Sequence, residues 1–324
     1  ITRWVNADCM VDNELSYNQL WDKSVLVADL LLRKGVERGE RVMIAYNFGL
    51  EFLPGIFGCM MIGVIPCSVY PPNPTPGKAK HSYDQFRKQI EDAGATYALT
   101  SSAFKRTIQT ASIMARQRVK IKWLASDTIK PRKDLMFEPN PDTASGTDIA
   151  FIQYSSGSTG VPKGIMISHR ALVHNITATS EATTITEDPR TLAVTWMPQY
   201  HDYALIVFFM VPIYTRYSPS VAFSPIDFIR SPMLWADVIE KFEGTMTAAP
   251  NFAYGLLARR MKQANRTFAQ DTTLLCADMA AEPIAPSTIE AMKEIGIPEQ
   301  AISTSYGLAE SCVYVASCTH TQIK

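Results

Sequence analysis

An excess of charge of one sign is missing from this 324-residue chain: 31 Lys and Arg stand against 31 Asp and Glu. A dedicated nucleic-acid binder carries a basic surplus, so no nucleic-acid partner is expected. Charged residues are scarce at 19%, against 47% hydrophobic residues, which excludes a disordered or collagen-like chain. The six cysteines (Cys9, Cys59, Cys67, Cys276, Cys312, Cys318) form no CxxC pair. They read as reduced thiols of a cytosolic protein, which makes the sequons at Asn175 and Asn265 chance matches. Histidines His81, His169, His174 and His320 lack zinc-ligand spacing. No period of 20 to 50 residues repeats, so a solenoid is excluded. Long apolar runs are also absent. Residues 52–77 carry no charge, but Pro54, Pro66, Pro71, Pro72, Pro74, Pro76, Gly58 and Gly63 interrupt them. The run over residues 203–214 is too short to span a bilayer, so no transmembrane segment is expected.

What is present is a rhythm of short apolar strands and amphipathic helices. Ser16 and Gln19 form a capping-box pattern ahead of a helix carrying Val25, Ala28, Leu31 and Leu32, with Lys34-Gly35 as its stop. Strands are expected over 42–46, 65–69, 96–100, 121–125, 149–154, 192–196, near Met246, and over 273–276 and 301–304. Helices are expected over 49–62, 81–93, 104–116, 168–180, 235–242 and 251–263. Residues 130–146 read as a surface loop. Alternation of this kind argues for an α/β fold with two mostly parallel sheets flanked by helices, each strand buried on both faces. The segment between Asp92 and Asp127 holds Lys105, Arg106, Arg116, Arg118, Lys120 and Lys122 and no acid. It reads as a solvated helix face, with a docking patch for an acidic partner as the alternative. The chain begins at Ile1 and no terminal element is evident after Glu310, so a domain cut from something longer is expected.

The most informative segment follows an apolar strand: Ser155-Ser156-Gly157-Ser158-Thr159-Gly160-Val161-Pro162-Lys163-Gly164. Its glycines let backbone amides approach an anion, its four hydroxyls add donors, and Lys163 adds a positive charge. A flexible linker is excluded by the flanking apolar runs and by Pro162. A Walker loop needs a Gly-Lys-Ser/Thr order, which this segment lacks, and neither GxGxxG nor GxSxG occurs. The parts suit a triphosphate or pyrophosphate.

Residues 154–164 resemble the phosphate-binding signature of the adenylate-forming (AMP-binding) superfamily, which includes acyl-CoA synthetases, luciferases, peptide-synthetase adenylation domains and fatty acyl-AMP ligases. Ser305-Tyr306-Gly307-Leu308-Ala309-Glu310 resembles the second signature of that superfamily, and Ala281-Glu282-Pro283 its short adenine-side motif. Trp196-Met197-Pro198-Gln199-Tyr200-His201-Asp202-Tyr203-Ala204-Leu205-Ile206 is similar to a stretch of fatty acyl-AMP ligases, with Tyr203 and Ala204 in place of the usual Met-Gly. A bulkier ring there bears on acyl chain length. The resemblance covers most of the chain. It implies the large N-terminal domain of such an enzyme without its small C-terminal domain, in two interleaved lobes of about 71–215 and 1–70 plus 216–324.

The implied reaction activates a fatty acid with ATP, giving acyl-AMP and pyrophosphate, with charge neutralised at the phosphates. The resemblance gives Ser155, Ser156, Gly157, Ser158, Thr159, Gly160, Lys163 and Gly164 the β- and γ-phosphates. It gives Thr159 and Glu310 an Mg2+ ion, whose preference is for carboxylate, hydroxyl and phosphate oxygens. Tyr306 would lie against adenine beside Ser305, with Gly307 permitting close approach and Ala281, Glu282 and Pro283 as the opposite wall. His201 and Asp202 would line the acyl-carboxylate end. The adenylation lysine and ribose-binding acid of the superfamily lie in the absent domain, so the chain alone is expected to be poorly active. The acyl acceptor is expected to be an acyl carrier protein or a fused synthase domain. A fatty acyl-CoA synthetase and a non-catalytic lipid- or nucleotide-binding domain of a larger protein are the alternatives.

Overall fold

The computed structural model describes residues 2–75, 79–114, 119–140, 143–155, 162–183, 191–216 and 219–319. In chain order the strands are β1 (Thr2–Val5), β2 (Val11–Leu15), β3 (Arg41–Ile44), β4 (Ile65–Ser68), β5 (Tyr97–Thr100), β6 (Lys122–Ala125), β7 (Ile149–Ser155) and β8 (Lys163–Ser168). They continue as β9 (Ala193–Thr195), β10 (Ser220–Phe223), β11 (Met246–Ala249), β12 (Cys276–Met279), β13 (Ile302–Gly307) and β14 (Tyr314–Thr319). The α-helices are α1 (Tyr17–Arg33), α2 (Phe52–Met61), α3 (Ala79–Ala93), α4 (Ser102–Met114), α5 (His169–Thr183), α6 (Val211–Thr215), α7 (Pro225–Arg230), α8 (Met233–Lys241), α9 (Asn251–Gln263) and α10 (Pro286–Glu294). A π-helical segment, Ala204–Met210, runs directly into α6.

The chain divides into two compact units, Ser16–Val173 and Ile1–Leu15 with His174–Lys324. These are not the expected lobes. β3 and β4, assigned to the lobe of 1–70, pair instead with β5 and β7. Only the first fifteen residues join the C-terminal part, because β1 pairs with β10 in parallel.

The unit Ser16–Val173 carries a six-stranded sheet of order β6-β5-β3-β4-β7-β8, parallel except for β8, which runs antiparallel to β7. Its first helix starts as expected. Ser16 Oγ accepts from the Gln19 N–H at 3.2 Å, while Gln19 Oε1 accepts from the Ser16 N–H at 2.8 Å. Leu20, Val27, Ala28 and Leu31 form its buried stripe. Helix α2 crosses α1 closely because Gly58 has no side chain: a Cβ there would lie 2.6 Å from Val27 Cβ and 2.8 Å from the Ser24 carbonyl oxygen. Pro54 is tolerated in α2 because it falls in the first turn, where its missing N–H has no intrahelical partner to lose. Lys105, Arg106, Lys120 and Lys122 lie on or beside α4 and β6; Arg116 and Arg118 lie outside the described residues.

The second unit carries an eight-stranded sheet, β14-β13-β12-β11-β9-β10-β1-β2. Its six inner strands are parallel, and β2 and β14 are antiparallel edges. Its core stacks Trp196 on Phe228 at 3.9 Å between ring centroids and buries Trp235, whose Nε1–H donates to Thr247 Oγ1 at 2.8 Å. The strand expected at 273–276 begins where that range ends, as β12, and the one expected at 301–304 is the longer β13. Helix α10 and the π-helical segment had no counterpart among the expected elements. All six cysteines are free. Among the described residues no helix is long and apolar enough to cross a membrane.

Candidate functional site

The topology of the larger sheet decides where a site can form. In a parallel sheet every strand delivers its following loop at the same edge. Ligand crevices open where neighbouring strands connect onward in opposite directions. Adjacent strands β9 and β11 meet this condition: β9 leads to β10 on one side, and β11 to β12 on the other. The loops leaving β9, β11, β12 and β13 therefore share one edge. They carry residues 196–203, Pro250-Asn251-Phe252, residues 280–283 and Leu308-Ala309-Glu310.

One cavity lies at this edge, and a second runs back from it along β12 and β13 to Leu275 and Gln300 at their starts. The first, apolar and about 140 Å³, is bordered by Trp196, Met197, Pro198 and His201 after β9, Ala248 and Ala249 at the end of β11, and Phe252 and Ala281. The other, about 190 Å³, has Cys276, Asp278, Ser303, Ser305, Tyr306 and Gly307 on its wall. Tyr203 borders both.

Asp278 is the hub of the second cavity and is 3% exposed. Its Oδ2 accepts from the Tyr203 hydroxyl at 2.6 Å and from the Ser305 hydroxyl, and its Oδ1 accepts from Ser303 at 2.9 Å. Burial raises its carboxyl pKa, and the hydroxyl donors and the Met279 N–H pull it back down. Burial, followed by the charge of Asp278, pushes the Tyr203 phenol well up, so Tyr203 donates rather than ionises. Burial pushes the Cys276 thiol up to about 12, which removes it as a nucleophile.

His201 and Asp202 close the turn before the π-helical segment. His201 Nδ1 lies 2.7 Å from Asp202 Oδ1, and the same carboxylate oxygen accepts the Tyr203 N–H at 2.7 Å. His201 Nδ1 also faces the Tyr203 N–H at 3.3 Å, so Nδ1 is engaged within the turn and Nε2 is the ring nitrogen turned to other partners. The π-helical segment, wholly buried, follows immediately; such widened turns recur beside functional sites.

The adenine-side motif has structural duties of its own. Ala281 holds φ 72°, a left-handed conformation that costs a non-glycine residue energy. Glu282 Oε1 accepts the Phe252 N–H at 2.6 Å in the first turn of α9, where a carboxylate offsets the helix dipole. Tyr306 is 64% exposed and borders the cavity beside Asp278, whereas Ala281 borders the apolar one. Gly307 is required by the chain itself: a Cβ there would sit 1.8 Å from the Val313 carbonyl oxygen, where β13 and β14 shift register.

Glu310 is exposed on a short 3-10 turn, Ala309–Ser311, and makes no hydrogen bond or ion pair among the described residues. Its carboxylate is thus free for a cation, and no cluster of three metal-ligating side chains exists among the described residues. The turn is held by Asn175 of α5. Asn175 Nδ2 donates to the Ser311 and Tyr314 carbonyls at 3.1 and 2.8 Å, and its Oδ1 accepts the Tyr314 N–H at 3.0 Å.

In the smaller unit, Ser155 ends β7 opposite Lys163, the exposed first residue of β8. Ser156, Gly157, Ser158, Thr159 and Gly160 lie outside the described residues. The base of the hairpin is anchored by Tyr154, whose hydroxyl donates to Asp92 Oδ2 at 2.6 Å. Gly164 is needed there, since a Cβ would come within 3.0 Å of Ile152 and 3.2 Å of the Tyr154 ring. Burial lowers the pKa of His169, whose N–H caps against the Asp148 carbonyl, in keeping with a structural place at the start of α5.

Asn175 and Asp278 are site residues that motif reading missed. Asn175 stood in an apparent chance sequon. Asp278 had a signal: an acid inside a short strand otherwise made of Cys276, Ala277 and Met279.

Comparison with known proteins places these features in context. The chain is 33% identical over 313 residues to the medium-chain-fatty-acid acyl-carrier-protein ligase JamA of Moorena producens, covering 95% of this chain and 52% of that protein. It is 30% identical over 315 residues to the long-chain-fatty-acid AMP ligase FadD26 of Mycobacterium marinum, covering 94% and 52%. The chain thus spans about half the length of the curated relatives it matches. A solved fatty acyl-adenylate ligase from L. pneumophila, in complex with acyl adenylate and pyrophosphate, superposes with a TM-score of 0.85 at 26% identity, covering 98% of this chain and 54% of that one. The AMP-binding enzyme family model matches residues 2–324, and this chain belongs to that family.

Proposed function

We propose that this chain is the large part of a fatty acyl-AMP ligase, which joins a fatty acid carboxylate to ATP and releases pyrophosphate. The observation that carries the reading is the convergence of the 196–206, 280–283 and 305–310 segments at one edge of one sheet, around two cavities. The names of JamA and FadD26, and the acyl adenylate held by the L. pneumophila enzyme, support fatty acids as the substrate class. A cytosolic setting accords with six free thiols.

On this reading the apolar cavity takes the alkyl part of the acid, and His201, oriented by Asp202, offers Nε2 at the carboxylate end. Tyr306 and the Ala281-Glu282-Pro283 turn receive the adenosine. The 155–164 loop, Thr159 and Lys163 included, receives the phosphates. Glu310 fits a magnesium site because it is an exposed carboxylate with no hydrogen bond or ion pair among the described residues, and Mg2+ is bound through one or two carboxylates and substrate phosphates. The ion would supply charge neutralisation at the phosphate oxygens. The acyl group then passes to an acyl carrier protein or a fused synthase domain.

The test is acid-dependent exchange of labelled pyrophosphate into ATP by the full-length protein. Product analysis with a labelled fatty acid in the presence of CoA or of a carrier protein accompanies it. Exchange that requires a fatty acid, followed by transfer to the carrier, is the expected result. Formation of acyl-CoA instead would assign a CoA ligase.

A further inference from the structure

We infer that the acid this enzyme activates carries a hydroxyl group, which the cavity beside Asp278 receives among Thr179, Ser303 and Ser305. The inference rests on the ligase reading and names the class of acid within it. The cavity measures about 190 Å³, and Ala182, Val207, Leu275, Ala301 and Val313 help make most of its wall apolar. A mainly apolar wall with a few placed polar groups is the form that small-molecule sites take, the polar groups fixing orientation. Thr179 is one of those groups. It lies on α5 one turn after Asn175, is 2% exposed and borders the cavity. Its Oγ1 has no hydrogen-bond partner among the described residues. A buried hydroxyl left unpaired is unfavourable, and the large majority of buried polar side-chain atoms are paired. Plain hydrocarbon in the cavity leaves Thr179 unpaired, whereas an oxygen substituent pairs it.

The Asp278 cluster decides which oxygen substituent fits. A carboxylate offers about four acceptor places. The hydroxyls of Tyr203, Ser303 and Ser305 and the Met279 N–H fill those of Asp278. Each hydroxyl owns a single hydrogen, so Ser303 and Ser305, which both border the cavity, keep only lone pairs for an occupant. The occupant must therefore bring a donor to the serines and an acceptor to Thr179. A hydroxyl group does both. A ketone accepts only, and it sets its oxygen against serine lone pairs beside a buried carboxylate. Hydrocarbon does neither.

The experiment measures kcat/KM for pyrophosphate exchange by the full-length protein with acids of equal chain length: unsubstituted, hydroxylated or oxo-substituted. The substituent stands next to the carboxyl carbon, one carbon further, or at the far end. At one of these positions the hydroxy acid should exceed the unsubstituted acid by about tenfold or more, the scale of one buried hydroxyl left unpaired, and should exceed the oxo acid as well. Thr179→Val removes the hydroxyl with little change of shape and should bring the ratio of hydroxy to unsubstituted acid close to unity. Thr179→Ser retains a hydroxyl and should keep the preference. A thermal melt checks that each variant folds, and a hydroxyl with a purely structural place would move the melt and leave the ratio where it was. An unsubstituted or oxo acid used as well as every hydroxy acid, or a folded Val variant that keeps the wild-type ratio, overturns this inference alone. Absence of exchange with every acid overturns the ligase reading, and the inference with it.

Discussion

Asn175→Ala should loosen the Glu310 turn, and the size of the effect follows from its three hydrogen bonds. The amide pairs two carbonyls and one N–H of the segment 311–314, and Asn175 is 7% exposed. A protein hydrogen bond contributes about 1 kcal/mol net, and a buried group left unpaired costs about 1–3 kcal/mol. Water can re-pair part of a turn whose preceding residue, Glu310, is exposed. Alanine also regains up to about 0.7 kcal/mol of helix propensity within α5. The net loss is then about 2 kcal/mol, confined to the turn. If ordering of the turn limits metal binding, apparent Mg2+ affinity falls by the fraction ordered, up to about thirtyfold for 2 kcal/mol. The assay is the Mg2+ dependence of pyrophosphate exchange in the full-length protein, alongside a urea midpoint. Asn175→Asp should be no better than Ala, because it sets a carboxylate oxygen against the Ser311 and Tyr314 carbonyls. An Ala variant with an unchanged magnesium requirement, or an Asp variant indistinguishable from wild type, refutes the reasoning.

Gly307→Ala should be more severe. The new Cβ must gain at least about 1.2 Å of clearance from the Val313 carbonyl to reach the 3.0 Å that real contacts show. Both sides are backbone, so β13 and β14 must part at a cost of about 3 kcal/mol or more. Circular-dichroism melts should show a large drop, and a shift under two degrees would contradict the geometry. Glu282→Ala removes the acceptor for Phe252 N–H in the first turn of α9 and should cost about 1 kcal/mol in urea unfolding, with Glu282→Gln recovering part of it. Asp278 carries a pH signature. Its carboxyl pKa is raised in the folded state above the ordinary value of 3.8. Its contribution is therefore fully present below that value and is lost as pH rises through the folded-state pKa. The stability of wild type minus that of Asp278→Asn should fall as pH rises from about 3.8; parallel curves would count against a raised pKa.

Features set by neighbours in the chain were legible in the sequence. The Ser16/Gln19 cap, the β7 strand before the glycine-and-hydroxyl segment and helix α9 all depend on contacts a few residues apart, and the pattern declares them. What escaped was set by pairing across long separations. β1 is four residues whose partner, β10, lies more than 200 residues away, so nothing local marks it as part of the C-terminal sheet. The lobe boundaries were misplaced for the same reason. The run over 203–214 was read only by length, because widening of a helical turn leaves no periodic trace in a segment buried on every side. Gly307 was read as clearance for a nucleotide, yet its missing Cβ faces Val313 on the neighbouring strand, a partner that appears only once β14 is in place.

The two polar residues that motif reading passed over, Asp278 and Asn175, share a physical logic. Each is buried, each makes three side-chain hydrogen bonds, and each fixes a segment that itself faces a cavity or solvent: Tyr203 and Ser305 in one case, the Glu310 turn in the other. Burying such groups is unfavourable unless every bond is made. A strand or helix position that admits them has given up the stability an apolar residue would supply there. That cost is repaid in definition of geometry, because a side chain with several fixed acceptors holds one arrangement where an apolar contact tolerates many. The conservative exchanges Asp278→Asn and Asn175→Asp therefore change little volume but redirect donors and acceptors. Their effects on acid selection and on magnesium requirement should exceed their effects on the melting temperature, whereas Gly58→Ala, a packing change between α1 and α2, should show the reverse.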